Sequence, residues 1–239
     1  LLVAAAVCLT LLLRAPPELQ REPASRKKEP TSSQPDQSWL ESVTKRLAQE
    51  EYLPKMSSSA EPLGAESSWR FLNRANGLRS EISRGGWEIV PQRSAQLNSA
   101  EPFKAKRGDE AAESESAWRW RYQLTGVSRG EARRKPGSPE LHEENSTVRL
   151  VYSGGLQEWY KNSEAGIEQG FEIPQRPFES VPGELVFVGA VSTDLSGEAV
   201  SRDSVAFSKD GREAFRYAGL KVVDATGKTL PSWLSYSAK

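Results

Sequence analysis

The sequence predicts a mainly β protein, an antiparallel β-sandwich or rolled sheet with one short N-terminal helix. From Trp118 onward, apolar and polar residues alternate with a period of two, which is typical of strands that have one buried and one solvated face. Short turns containing glycine separate these runs, and no helical pattern lies between them. Consecutive strands joined in this way pair antiparallel, as in a sandwich or a rolled sheet.

The chain begins with a segment typical of export. The run LLVAAAVCLTLLL, followed by Arg14, fits the hydrophobic region of a secretory signal peptide better than a spanning helix of about 20 residues. We therefore expect residues 1–14 to be a signal peptide whose start is truncated, with a membrane anchor as the alternative. The expected localisation is secreted or at the cell surface.

Residues 15–37 are rich in Pro, Ser, Gln and charge, and they predict a disordered linker, because such a segment buries too little surface to offset its ordering entropy. On this interpretation residues 1–37 are dispensable for folding, and residues 38–239 form the β-rich module. Apolar residues then recur at helical spacing from Trp39 to Leu47, with Ser38 and Glu41 as a capping box. This predicts one short amphipathic helix with a packing face.

Three strand patterns stand out. The stretch ELVFVGAV is apolar on both faces and predicts a central, doubly covered strand, and TVRLVY alternates as a half-buried strand does. In WRWRYQL, the predicted inward residues are Trp118, Trp120, Tyr122 and Leu124, and the predicted outward ones are Arg119, Arg121 and Gln123.

Turns and loops follow from the residues between the strands. Asp210-Gly211 predicts a tight hairpin, since Gly readily takes positive φ, and Ala225-Thr226-Gly227 predicts a second one. The polar segments 92–117 and 127–146 are expected to be long surface loops.

The stretch GLQEWYKNSEAGIEQGFEI, residues 155–173, most resembles a site. Its pattern predicts two successive hairpins with turns at Gly154-Gly155 and 163–166, which places Glu158 and Tyr160 on one face and Trp159 on the other. The triplet 168–170 needs hydrogen-bond partners, and we favour a structural role inside the sheet over a ligand site. The residues expected to share the buried face of the second hairpin are Ile167, Gln169, Phe171 and Ile173.

Signatures of catalysis are missing from the sequence. Glu158 and Glu168 are candidates for paired carboxylates of a glycosidase, but acidic residues on neighbouring strands usually serve solubility. His142 lies in a charged segment, and no GxSxG, phosphate-binding glycine loop or HExxH occurs. We expect no enzyme and no catalytic, cofactor-binding or metal-ligating residues. The aspartates that precede glycines are interpreted as turn residues: Asp194, Asp210 and Asp224.

Composition limits the partners. The 32 basic and 32 acidic residues give zero formal charge, which removes the usual electrostatic argument for binding nucleic acid or anionic membranes. The single cysteine, Cys8, excludes a disulfide framework and a cysteine-based metal site elsewhere in the chain.

Five segments together resemble a known family. They are TKRLAQEEYLP, FLNRANGLRSEISRGGWEIVPQ, WRWRYQLTG, LVYSGGLQEWYKNSEAGIEQGFEI and RYAGLKVVDATGKTLPSWL. Their order resembles the N-terminal module of exported bacterial proteins that continue into FG-GAP (integrin-α-like) β-propeller repeats. The resemblance implies that residues 155–173 are a framework strand pair, with Ile167 where the family usually has Leu. It also implies that the chain is a fragment or a truncated gene product, with downstream propeller repeats of the same protein as its partner, and it implies no reaction.

The expected function is therefore that of a non-enzymatic, exported structural or interaction module, the N-terminal cap of a larger repeat protein at the cell surface. An extracellular protein or a glycan is a further expected partner. The alternative is a carbohydrate-binding or accessory domain of an extracellular enzyme, which would use exposed aromatics such as Trp159 and Trp233. Exposure separates the two, because sugar platforms are open whereas a structural module buries its aromatics.

Overall fold

The computed structural model describes residues 8–14 in backbone course and pairing, and residues 50–57, 67–92, 118–144 and 146–237 in full. These residues form fifteen β-strands, so the prediction of a mainly β, antiparallel protein is confirmed. The linker 15–37, the helical pattern from Trp39 to Leu47 and the loop residues 93–117 lie outside the described residues. Among the described residues, no helix is long and apolar enough to cross a membrane.

The strands form two antiparallel sheets. The first sheet has the order β13-β14-β15-β1-β11-β10-β9-β8, and its strands are β1 (Cys8–Arg14), β8 (Glu140–Glu144), β9 (Thr147–Val151), β10 (Gln157–Ser163), β11 (Gly166–Glu172), β13 (Ser196–Ser201), β14 (Ser204–Lys209) and β15 (Arg212–Val223). The second has the order β12-β6-β5-β4-β3-β2, with β7 paired to β6, and its strands are β2 (Lys55–Ser57), β3 (Ser68–Asn73), β4 (Leu78–Ser83), β5 (Gly86–Pro91), β6 (Trp120–Arg129), β7 (Ala132–Arg134) and β12 (Leu185–Thr193).

Aromatic side chains from the two sheets meet in one core. The ring centroids of Trp87 and Tyr160 lie 4.9 Å apart, and those of Trp120 and Phe207 lie 5.7 Å apart. Each pair joins a strand of the second sheet to a strand of the first. Tilted and edge-on contacts at these distances are the arrangements that aromatic quadrupoles favour, in addition to the apolar area that they bury. The core therefore holds the buried faces of the two sheets together.

The alternating patterns of the sequence are confirmed. In β6 the burial alternates strictly over its first residues: Trp120, Tyr122 and Leu124 are buried, whereas Arg121 and Gln123 are exposed. Trp118, just before the strand, is also buried, and Arg119 is exposed. In β9, Val148 and Leu150 face the core, and Tyr152 follows them there.

The predicted hairpins are confirmed at two turns and differ at two others. Asp210 and Gly211 take φ of 48° and 75° between Lys209 and Arg212, which pair as the ends of β14 and β15. Ser163 pairs with Gly166 across the β10–β11 turn. At the glycine pair after β9, Tyr152 N donates to Leu156 O at 2.9 Å, so the loop is three residues, 153–155, rather than two. After Gly227, an isolated bridge at Thr229 replaces the expected strand.

Two of the sequence interpretations are corrected. The ELVFVGAV segment, β12, is an edge strand that pairs only with β6 within the described sheet, and Val186 and Val188 are 44% and 46% exposed. A continuous apolar run is thus not sufficient to place a strand at the centre of a sheet. The segment 127–146, expected as a surface loop, contains the end of β6 together with β7 and β8. Its polar composition does not indicate a loop, because the charged side chains of β7 and β8 lie on exposed faces of these strands.

The strand β1 occupies the position between β11 and β15. Its backbone pairs antiparallel with both neighbours: Leu9 is opposite Phe171 on one side and Val222 on the other. The register shifts between Thr10 and Leu12 along the β15 side. The segment predicted to be an export leader is thus placed as an inner strand of the first sheet, and its removal from the mature chain stays a prediction.

Candidate functional site

The β10–β11 hairpin carries the residues that the sequence singles out. Strand alternation turns Glu158, Tyr160 and Asn162 of β10 toward the core, opposite Phe171, Gln169 and Ile167 of β11. Cross-strand neighbours share a face, so the polar groups of the two strands converge in the space between the sheets. This confirms the predicted orientation of Glu158 and Tyr160.

Glu158 is the centre of a buried hydrogen-bond network. Glu158 is buried, with only 1% of its surface exposed. Tyr152 Oη donates to Glu158 Oε2 at 2.7 Å, and Gln169 Nε2 donates to Glu158 Oε1 at 2.6 Å. The Tyr160 hydroxyl also donates to Oε1, and the Tyr217 hydroxyl donates to the side-chain oxygen of Gln169. The Glu158 carboxyl group thus joins β10, β11 and the end of β9, and Gln169 extends the network to β15.

Burial determines the ionisation of this cluster. Desolvation raises the pKa of Glu158, because a carboxylate loses its hydration in the core, and the hydrogen bonds from Tyr160, Tyr152 and Gln169 partly oppose that rise. The pKa of Tyr152, Tyr160 and Tyr217 is raised by burial and then by the nearby Glu158 carboxyl. The tyrosines therefore stay protonated and serve as hydrogen-bond donors.

A second polar contact joins the two sheets. Asn73 Nδ2 of β3 donates to Asn162 Oδ1 of β10 at 2.8 Å, and also to the Ser163 carbonyl at 2.8 Å. Asn162 Nδ2 in turn donates to the Leu72 carbonyl at 3.0 Å. Buried amides bonded in this way fix the relative position of the sheets, because any sliding would leave them unpaired.

Trp159 lies on the opposite face of β10 and is half-buried. Its indole ring covers Gly170, the residue opposite it on β11, so closely that a Cβ there would overlap the ring. The Trp159 Nε1 atom is shielded from solvent and has no hydrogen-bond partner within the described residues. The indole ring of Trp159 therefore packs one face against β11.

The paired-carboxylate hypothesis finds no support in the placement of Glu158 and Glu168. Glu158 points into the core, whereas Glu168 is opposite Lys161 on the other face of the hairpin. The two groups cannot flank one substrate bond from these positions. Gln169, the middle residue of the predicted polar triplet, has the structural hydrogen bonds that the sequence interpretation required.

The remaining candidate residues lie apart from one another. His142 is exposed in β8, with Nε2 3.3 Å from Glu140 Oε2. Asp194 accepts from the Arg119 backbone N–H at 2.7 Å and from Lys209 Nζ at 2.8 Å, and these bonds lower its pKa. Asp224 accepts from the Thr226 N–H at 2.9 Å and caps its own turn. In the part of the chain that the structure describes, no three His, Cys, Asp or Glu residues are grouped as metal ligands would be.

Sequence reasoning missed two members of the network, Tyr152 as a donor to Glu158 and Tyr217 as a donor to Gln169. The signal for Tyr217 is the alternation in AFRY, which puts Phe215 and Tyr217 on one face of β15.

A scan against models of known protein families finds no match for this chain. Comparisons with curated proteins and with solved structures find none either.

Proposed function

We propose that the chain is a non-enzymatic structural and interaction module with a β-sandwich architecture. In the exported repeat protein that the sequence resembles, it would be the N-terminal cap of FG-GAP propeller repeats. The observation that carries the proposal is the Glu158 network: the polar residues of the most site-like stretch bond to one another inside the core. A catalytic or sugar-binding cluster would instead present such groups to a cleft.

The outer face of β12 supports the interaction part of the proposal. Val186 and Val188 are exposed side by side on an edge strand, where an adjoining domain would cover them. The following repeats of the same protein are the partner that the family resemblance suggests.

Stability measurements on β11 test the structural role. Gln169→Ala is expected to lower the free energy of unfolding by about 1–3 kcal/mol, because Glu158 and Tyr217 lose a buried partner. Glu168→Ala, one residue earlier on the outer face, is the matched control and is expected to change it by about 0.5 kcal/mol or less. If Gln169→Ala leaves stability unchanged or raises it, the residue serves a function instead and the proposal fails.

The carbohydrate-binding alternative is favoured by one observation. Trp233 is 44% exposed, and the Arg202 guanidinium lies 5.9 Å from the centre of its ring. Glycan-array screening of the wild-type chain beside Trp233→Ala and Trp159→Ala tests it. A glycan signal that either substitution abolishes, with an unchanged melting temperature, would favour this second function.

A further inference from the structure

A small cleft opens at the end of the first sheet where the β9–β10 turn, the segment after β11 and the β6–β7 hairpin meet. Its volume is about 170 Å³. Drug-sized pockets start at about 300 Å³, so this cleft suits one small group. Tyr152 is among the lining residues, and its hydroxyl donates a hydrogen bond to Glu158 in the core.

The charge in the cleft has one sign. Arg134 and Arg176 line it, and no acidic side chain does so within the described residues. None of the ion pairs within those residues involves either arginine. Two guanidinium groups without a carboxylate at the same small opening favour an anion, and the planar fork of Arg matches a carboxylate in particular.

Arg134 contacts two neighbouring segments of the cleft. Its guanidinium lies 5.6 Å from the centre of the Phe178 ring, a cation–π contact. A Cβ at Gly154 would be 3.4 Å from Arg134 Nη1, so the guanidinium lies beside this glycine of the β9–β10 turn. Phe178 itself has φ of 54°, a conformation that is strained for a bulky residue and that clusters at ligand sites.

The rest of the lining is mixed: Ser153 and Gln175 are polar, and the other side chains are mainly apolar. Val127, Leu156 and Ile173 contribute aliphatic surface beside the rings of Phe178 and Tyr152. A bare inorganic anion would leave this surface uncovered, whereas an apolar group that carries a carboxylate would cover it and pair with the arginines. We infer that the cleft is a binding site for a small carboxylate with an apolar body, and that Arg134 and Arg176 bind its carboxylate group.

Titration of the intact chain with benzoate, followed by amide chemical shifts in NMR, tests the inference. Saturable shifts at Ser153, Gly154 and Arg176 are expected, with a dissociation constant on the order of 1 mM because the guanidiniums are exposed to solvent. Benzamide has the same ring without the charge and is expected to produce none. Inorganic phosphate is expected to bind at least tenfold more weakly. Equal binding of benzamide or phosphate would overturn the assignment.

Variants locate the site. Arg134→Gln and Arg176→Gln are each expected to weaken benzoate binding at least fivefold, with a melting temperature lowered by no more than about 4 °C, because both side chains are exposed and Arg134 loses only its contact with Phe178. Arg133→Gln is the matched control, since Arg133 neighbours Arg134 on β7 but does not line the cleft. If all three variants bind alike, the attraction is general and the inference is wrong.

The same carboxylate can belong to a free organic acid or to the C-terminus of a peptide, and N-acetylleucine distinguishes the two sources. Tighter binding of N-acetylleucine than of benzoate, lost in N-acetylleucinamide, identifies a peptide terminus. The reverse order identifies a free acid. Failure of every carboxylate to bind would refute this inference and leave the structural role of the Glu158 network unaffected.

Discussion

Trp120 is the residue on which the most aromatic contacts of the core converge. It is 1% exposed and contacts Trp87, Tyr122, Phe207 and Phe215. Its Nε1 atom has no hydrogen-bond partner within the described residues, so its contribution is one of apolar area and ring contact.

Trp120→Ala is therefore expected to lower the free energy of unfolding by about 3–5 kcal/mol, the usual cost of truncating a buried aromatic. Arg119→Ala, on the adjacent exposed position, is expected to cost less than about 0.5 kcal/mol, since its ion pair with Glu88 spans 3.7 Å at the surface. Urea denaturation measures both values, and equal costs would contradict the observed alternation.

Glu158 makes stability depend on pH in a direction that its environment sets. Burial raises its folded-state pKa above the unfolded value of about 4.3. As pH rises through about 4.3, the unfolded chain therefore releases this proton first, and the native state loses stability until the raised folded pKa is passed. Below about 4.3 both states hold the proton and this contribution to the pH dependence is absent.

Glu158→Gln removes that titration. The difference in free energy of unfolding, wild type minus variant, is expected to fall as pH rises from about 4 upward, and urea denaturation across a pH series measures it. Other acidic groups are common to both proteins and cancel in the difference. A difference that is constant or that rises with pH would contradict a raised pKa for Glu158.

At the scale of elements, the sequence predicts what depends on local rules. The alternation in WRWRYQL and the Asp210-Gly211 turn depend on side-chain period and on one dihedral region, and both are confirmed. The edge position of β12 and the exposed strands within 127–146 depend on which strands lie beside them. A short stretch of sequence does not contain that information.

The candidate site shows the same division. The inward orientation of Glu158 follows from strand period, and it could be predicted. Its partner Tyr152 precedes it by a turn, and Tyr217, which bonds Gln169, lies 48 residues further along the chain than Gln169. Only the pairing of the strands brings these hydroxyl groups together, so the network could not be predicted from the sequence.

The β14–β15 hairpin yields a prediction about one element. Gly211→Ala is expected to destabilise the protein by about 1–2 kcal/mol, because an L-residue at φ of 75° brings Cβ against the following carbonyl oxygen. No neighbouring atom lies within 4 Å of that Cβ position, so the cost comes from the backbone alone. Asp210→Gly is the control and is expected to change stability by about 0.5 kcal/mol or less, since Gly adopts φ of 48° readily. Thermal melts of the two variants compare them, and an unaffected Gly211→Ala would argue against this turn geometry.

At the scale of the whole molecule, the first sheet depends on a strand that is remote in sequence from its neighbours. β1 contributes backbone hydrogen bonds to β11 on one side and to β15 on the other. Without it, β13-β14-β15 would be separated from β11-β10-β9-β8 at the middle of the sheet. Each half would then have a newly exposed edge of unpaired N–H and C=O groups, a template for association.

Deletion of residues 1–14 therefore distinguishes two accounts of the N-terminus. If Cys8–Arg14 is an inner strand, the deletion is expected to lower the melting temperature by about 4–8 °C or more, as a loss of about 2 kcal/mol or more does, and to promote oligomers through the new edges. If the segment is a removable leader, the truncated chain is expected to keep the same cooperative melt and to stay monomeric.

Replacement of residues 15–37 by a Gly/Ser sequence of equal length provides the control. It leaves β1 and the number of residues between β1 and the rest of the chain unchanged, so no change in the melt is expected on either account. Differential scanning calorimetry and light scattering of the three chains measure stability and association together. An unchanged melt in the 1–14 deletion would contradict the inner-strand placement, because no sheet loses a strand bonded on both sides without losing cooperativity or stability.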